Sequence, residues 1–132
     1  MRATTNYHMK SFKIHRKKIL IADDDRDIVD AMKVILENEG FEVIITQHAQ
    51  DVLSLCYQHP DLVFIDIWMS GEAGDEVCKQ IKSQDQLKDI PIIIFSANND
   101  TRQIAMDSGA DGFLLKPFDL NDLLALAYKH AG

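Results

Sequence analysis

The chain has 132 residues, enough for one domain with a substantial core, and it carries 14 Lys/Arg against 21 Asp/Glu for a formal charge of −7. Residues 1–18 hold six basic residues (Arg2, Lys10, Lys13, Arg16, Lys17, Lys18) and no acid, which leaves eight basic and 21 acidic residues, net −13, in the remainder. So acidic a body argues against direct binding to a nucleic-acid phosphate backbone. No apolar run approaches the roughly 20 residues of a membrane span, and the N-terminus lacks the apolar stretch of a secretory signal.

Residues 1–17 read as a basic, flexible N-terminal extension and residues 18–132 as one domain. From residue 18 strand-like and helix-like patterns alternate. "KILIAD" (18–23) is a short β-type run ending in acids. "DRDIVDAMKVILENEG" places Ile28, Met32, Ile35 and Leu36 on one helical stripe, with Gly40 as the residue that closes the helix. "FEVIIT" (41–46) is strand-like, and Ala49, Val52, Leu53 and Cys56 mark a second helix. "DLVFID" (61–66) is the third strand. "GDEVCKQIKSQ" is the third helix, for which Asp75 is the expected N-cap. "IPIIIFSA" (90–97) is a fourth strand, almost wholly apolar. "DTRQIAMDSG" is a short helix closed by Gly109, and "DGFLLK" (111–116) is the fifth strand. Asp119 opens a last helix with Leu120, Leu123, Leu124 and Ala127 on one face.

This order is (βα)5. The third to fifth strands are continuous apolar runs, as expected when helices cover both faces of a sheet. Right-handed crossovers then give an α/β, doubly wound, parallel five-stranded sheet. Cys56 and Cys78 have no metal-ligand spacing and read as reduced, buried thiols of a cytoplasmic protein. The five histidines (His8, His15, His48, His59, His130) show no ligand spacing either.

Folds of this type place their sites at the carboxyl ends of the strands. There the first strand ends in Asp23-Asp24-Asp25, the third in Asp66, the fourth in Ser96-Ala97 and the fifth in Lys116-Pro117. Asp66 is a lone carboxylate at the end of an apolar run, costly to bury without partners. Clustered carboxylates repel one another unless a cation neutralises them, and an all-oxygen set with few carboxylates suits Mg²⁺. A carboxylate can itself be a nucleophile and form an aspartyl phosphate, a reaction that needs mainly positioning and charge neutralisation. Each residue alone has a plainer reading. Asp23, Asp24 or Asp25 could cap the first helix, Lys116 could be a solvated surface lysine, and Phe113 a core or sheet-edge aromatic. The joint pattern carries the inference.

"ILIADDD", "PDLVFIDIWMSG", "IPIIIFSA" and "GFLLKPF" together resemble the defining segments of the response-regulator receiver domain of two-component signal transduction, over residues 18–130. The resemblance implies that Asp66 is the phosphoacceptor, accepting its phosphoryl group from a phosphohistidine on a sensor histidine kinase or histidine phosphotransfer protein. It implies that the Mg²⁺ site is formed by the acidic pair Asp23 and Asp24, with Asp24 the direct ligand of the two, together with Asp66 and the backbone carbonyl of Trp68. Ser96 is then the switch hydroxyl, Lys116 the cation that pairs with the phosphoryl group, Lys116–Pro117 a cis peptide and Phe113 the switch aromatic. The resemblance also implies the flavodoxin-like (βα)5 sheet with strand order 2-1-3-4-5. The implied output is a change in the face formed by the fourth helix, fifth strand and fifth helix. That face would act on a downstream target protein or fused output domain, and homodimers on phosphorylation commonly form there in the family. The chain is implied to be a signalling domain rather than an enzyme beyond its own phosphotransfer and dephosphorylation. Whether it stands alone or forms part of a longer protein is left open.

Two departures stand out. Ser70 occupies a place where the family usually has proline, and because Ser does not fix φ the loop "WMSGEAG" is expected to be more flexible. Trp68, two residues past Asp66, is bulky for its place beside the site; the resemblance implies that Trp68 and Asn98 occupy positions that influence how water reaches a phosphoaspartate, and Trp68 is expected to slow hydrolysis. Three rivals remain. The first is a pseudo-receiver, a constitutive binding module that is never phosphorylated. The second is a dehalogenase-like phosphatase, which wants an Asp where Trp68 stands. The third is a flavin carrier, whose phosphate the acidic "ADDDRD" loop would repel.

Overall fold

Five of the apolar runs pair side by side in the computed structural model, which describes residues 16–132. The strands are β1 (Lys18–Ala22), β2 (Glu42–Thr46), β3 (Leu62–Asp66), a short hairpin of β4 (Trp68–Met69) and β5 (Glu72–Ala73), then β6 (Ile92–Ser96) and β7 (Gly112–Leu115). The helices are α1 (Arg26–Asn38), α2 (Ala49–Cys56), α3 (Gly74–Lys82), α4 (Thr101–Ser108) and α5 (Leu120–Ala131). The main sheet is parallel throughout, in the order β2-β1-β3-β6-β7. With the hairpin set aside this is the expected 2-1-3-4-5 order. The expected N-terminal extension, apart from Arg16 and Lys17, lies outside the described residues.

Alternation along the strands makes two cores. Leu20, Ala22, Val63, Ile65, Ile92 and Ile94 face one side, under α2, α3 and α4. Ile19, Ile21, Leu62, Phe64, Ile93 and Phe95 face the other, under α1 and α5. Both faces of β3 and β6 are therefore dry, and Phe64 meets Phe95 edge to face at 6.2 Å between ring centroids. Each such side chain contributes roughly 1.5–3 kcal/mol by its burial. The framework that carries the strand ends is consequently stiff.

The ends of the helices follow local chemistry, with two corrections. The Asp25 side chain accepts the Ile28 amide at 3.4 Å and caps α1. Gly40 (φ 95°) follows α1 and Gly109 (φ 79°) closes α4, both in the left-handed region that glycine enters freely. Asp75 is not an N-cap: α3 starts one residue earlier, at Gly74, and Asp75 lies in its first turn, where a negative charge still favours the helix dipole. Leu120 is not core: as the first residue of α5 it is half exposed, and the buried stripe is Leu123, Ala127 and Ala131. The α1 stripe also turns slightly, with Val29, Met32 and Leu36 buried and Ile28 and Ile35 at its margin.

Cys56 on α2 and Cys78 on α3 are free and fully buried. Burial pushes both thiols up to about 11. Since the thiolate is the reactive form, a disulfide-exchange reagent should leave native protein unlabelled for hours and label two thiols at once in denaturant. Rapid labelling of the native chain would contradict this packing.

Candidate functional site

The carboxyl ends of β1, β3, β6 and β7 bring the expected residues to one cleft. It is lined by Asp25, Ile28, Asp66, Ile67, Trp68, Ser96, Ala97, Asn98, Lys116 and Pro117. Asp23 lies directly beneath, and Asp23, Asp24 and Asp66 can each offer a carboxylate oxygen within 4.8 Å of the other two. The parallel register explains the convergence: Ala22 pairs with Ile65, Asp66 with Phe95 and Ser96 with Leu115, so the next residues of each strand emerge together.

Lys116 ties the cluster. Its Nζ donates to Asp23 Oδ2 at 2.6 Å and to Asp66 Oδ2 at 3.3 Å, and lies 4.5 Å from the centroid of the Phe95 ring. The side chains are 13% (Lys116), 1% (Asp23) and 13% (Asp66) exposed, so water screens these pairs little. Backbone amides supply the rest. Asp25 N–H donates to Asp23 Oδ1 at 3.1 Å, Ile67 N–H to Asp66 Oδ1 at 2.8 Å and Ser70 N–H to Asp24 Oδ2 at 2.8 Å.

Burial raises the Asp66 carboxyl above its ordinary value, with Lys116 opposing and the Asp23 charge adding to the rise. Burial alone would lower the Lys116 ammonium, but its bond to Asp23 and the charges of Asp66 and Asp23 hold it above the usual lysine value. Three carboxylates, two of them shielded and Asp24 exposed, against a single ammonium leave two formal negative charges in the cluster. A hard divalent cation bound by oxygens fits that donor set.

Ser96 is buried, and its hydroxyl accepts the Asn98 amide at 3.1 Å. The Lys116–Pro117 peptide is cis. Phe113 is half buried beside the core under α4 and lines a groove with Leu115, Pro117, Phe118 and Leu126. Trp68 stands at the cleft wall and is 62% exposed.

The loop after Asp66 differs from expectation. Rather than a freer loop, residues 68–73 form an antiparallel hairpin, Trp68 opposite Ala73 and Met69 opposite Glu72. Its two turn residues, Ser70 (φ 48°) and Gly71 (φ 77°), are both left-handed, the signature of a type I′ turn. A proline, fixed near φ −65°, cannot occupy Ser70's place. The Ser-Gly pair was the available signal, since such dipeptides mark turns.

Residues 19–128 match the family described as "Response regulator receiver domain". This chain belongs to that family. Among solved structures, the receiver is similar to the chemotaxis response regulator CheY4 of Vibrio cholerae (TM-score 0.79, 26% identity, 87% of this chain and 98% of that one). It is similar also to the receiver domain of NtrX from Brucella abortus (TM-score 0.76, 32% identity, 85% and 96%). A third likeness is to the signal receiver domain of a signal transduction histidine kinase from Syntrophus aciditrophicus (TM-score 0.78, 27% identity, 86% and 88%). Receiver domains operate between sensor kinases and output domains in two-component signalling. No described helix of this receiver is long and apolar enough to cross a membrane.

Proposed function

We propose that this receiver accepts a phosphoryl group on Asp66 from a phosphohistidine of a sensor histidine kinase or histidine phosphotransfer protein, in a Mg²⁺-dependent reaction in the cytoplasm. One observation carries the reading above all: Lys116 bridges Asp23 and Asp66 at the floor of a cleft that Ser96 also lines. Asp23, Asp24 and Asp66, with the Trp68 carbonyl, would hold the cation. Bound there, Mg²⁺ would neutralise charge on the phosphoryl oxygens during transfer.

The chain's own groups do the remaining work. An Asp66 carboxylate oxygen attacks phosphorus, the P–N bond breaks, and its electron pair leaves with the donor imidazole. Lys116, already against Asp66, moves its hydrogen bonds to a phosphoryl oxygen. Ser96 gives up the Asn98 amide and donates its hydroxyl to another. Phe113, half buried, follows Ser96 inward and reshapes the α4–β7–α5 face, where Met106, Leu115 and Leu120 are exposed. A two-state element biased by a new charge is the general form of such a switch. That face then acts on a target protein or fused output domain, with homodimerisation of the phosphorylated form on the same surface. Water later cleaves the acyl phosphate to restore Asp66 and inorganic phosphate.

Incubation with acetyl phosphate and Mg²⁺, followed by intact-mass measurement, tests this. The expected result is one phosphoryl adduct, abolished by EDTA and by Asp66→Asn. No adduct from acetyl phosphate or a phosphohistidine donor would turn the reading to the constitutive pseudo-receiver.

Trp68 on the cleft wall gives a further expectation. Trp68→Ala should shorten the lifetime of the phosphorylated form severalfold by opening the approach of water, measured as phosphate release from purified phosphoprotein. An unchanged lifetime would show that the exposed indole does not guard the bond.

A further inference from the structure

We infer that Ser70 is a positioning residue for the divalent cation, acting through its backbone amide and left-handed conformation. The inference rests on the proposed metal-dependent function. Of the three clustered carboxylates, Asp23 and Asp66 are each held at both oxygens, by Lys116 and by a backbone amide. Asp24 is exposed, and among the described residues its carboxylate has a single donor, the Ser70 amide at 2.8 Å on Oδ2. That one bond selects the orientation of the Asp24 side chain and leaves its other oxygen free for a ligand. A donor group held in place before binding loses less freedom on binding.

The amide can point at Asp24 because the turn is left-handed at Ser70, and the hairpin that carries it is fixed on three sides. Met69 is fully buried. Ser70 Oγ donates to Gln47 O at 3.0 Å. Glu72 Oε1 accepts the Ala49 amide at 2.9 Å, supplying the start of α2 with the acceptor that its own N-cap residue, His48, does not provide. The hairpin thus spans from the acidic cluster to the first turn of α2. A proline at position 70 would remove both the donor and the left-handed φ. A glycine would keep both and lose only the Gln47 contact.

Mg²⁺ titration of the full chain, followed by backbone amide NMR shifts, tests the inference. Ser70→Gly should bind Mg²⁺ within about twofold of wild type, whereas Ser70→Pro should bind at least about 10-fold more weakly, the lower end of the loss expected for a hydrogen bond to a charged group. In an Asp24→Asn background, Ser70→Pro should add little further loss. Should Ser70→Pro fold poorly, the wild type carries the test alone: the Ser70 amide should resist hydrogen exchange, and Asp24→Ala should abolish that protection. Equal affinity of wild type and Ser70→Pro, an equal loss in Ser70→Gly, or an unprotected Ser70 amide would each overturn the inference and leave the proposed function standing. Failure of the wild type itself to bind Mg²⁺ would overturn both.

Discussion

Gly74→Ala is expected to be the most damaging single methyl that this chain can receive near its site. A Cβ on Gly74 would lie 1.8 Å from the Asp66 carbonyl oxygen, and 3.0 Å from both the Asp66 carbonyl carbon and Ile65 Cγ1. The obstacle is backbone of β3, with no flexible side-chain tip to swing aside. The Gly74 amide also donates to Ile67 O at 2.6 Å, holding the start of α3 close to the strand end. Relief requires either pulling α3 away from the core that Val77, Cys78 and Ile81 share with β3, or moving the residue expected to receive the phosphoryl group. Overpacking of this kind costs about 3 kcal/mol, near the upper end of its usual range. Urea unfolding should show the loss in midpoint. The fraction still folded should phosphorylate poorly, because Asp66 has shifted. A variant with wild-type stability and phosphorylation would mean that the junction yields more easily than its packing indicates.

Asp66→Asn should abolish phosphorylation and, in metal-free buffer at neutral pH, raise the melting temperature by a few degrees. The sign follows from the raised carboxyl of Asp66, caused first by burial and reinforced by Asp23. A group whose folded value lies above its unfolded one favours folding at low pH. That advantage disappears as pH rises through the folded value. At neutral pH the ionised Asp66 therefore works against the apo fold, and the neutral amide removes that opposition while Lys116 keeps Asp23 at 2.6 Å. Lowering the pH toward the carboxylate range should narrow the gap between the two proteins. Mg²⁺ should narrow it as well, raising the wild type more than the variant, since a ligand that binds only the folded form stabilises it. Scanning calorimetry with and without Mg²⁺ measures both effects, and a wild type more stable than Asp66→Asn in EDTA would contradict the charge balance described.

Much of this was legible in the residues because the fold ties function to strand ends. An apolar run that stops at an acid, as at Asp23 and Asp66, or at a lysine, as at Lys116, marks its own carboxyl end. Parallel pairing then brings those ends together. Contacts that depend on one loop meeting another were not legible. Nothing in the local pattern says that Glu72 reaches the Ala49 amide, or that Lys82 donates to Lys88 O, Ile90 O and Asp111 and so fastens the approaches to β6 and β7. The Ser-Gly pair marked a turn but not its hand, because serine has no preference for the left-handed region and conformation there is set by the hairpin around it. Gly74 could be counted as a loop glycine, but only the approach of the Asp66 backbone shows why a side chain is excluded.

The bridge between Asp23 and Lys116 joins residues 93 positions apart, with β3 and β6 laid between their strands. Contacts of such span belong to the slow closures of folding. During synthesis the acidic cluster would leave the ribosome long before its counter-cation, and a chain ending anywhere between β3 and β7 would carry the carboxylates without it. A half-made molecule should therefore be mute, unable either to accept the proposed phosphoryl group or to compete for its donor.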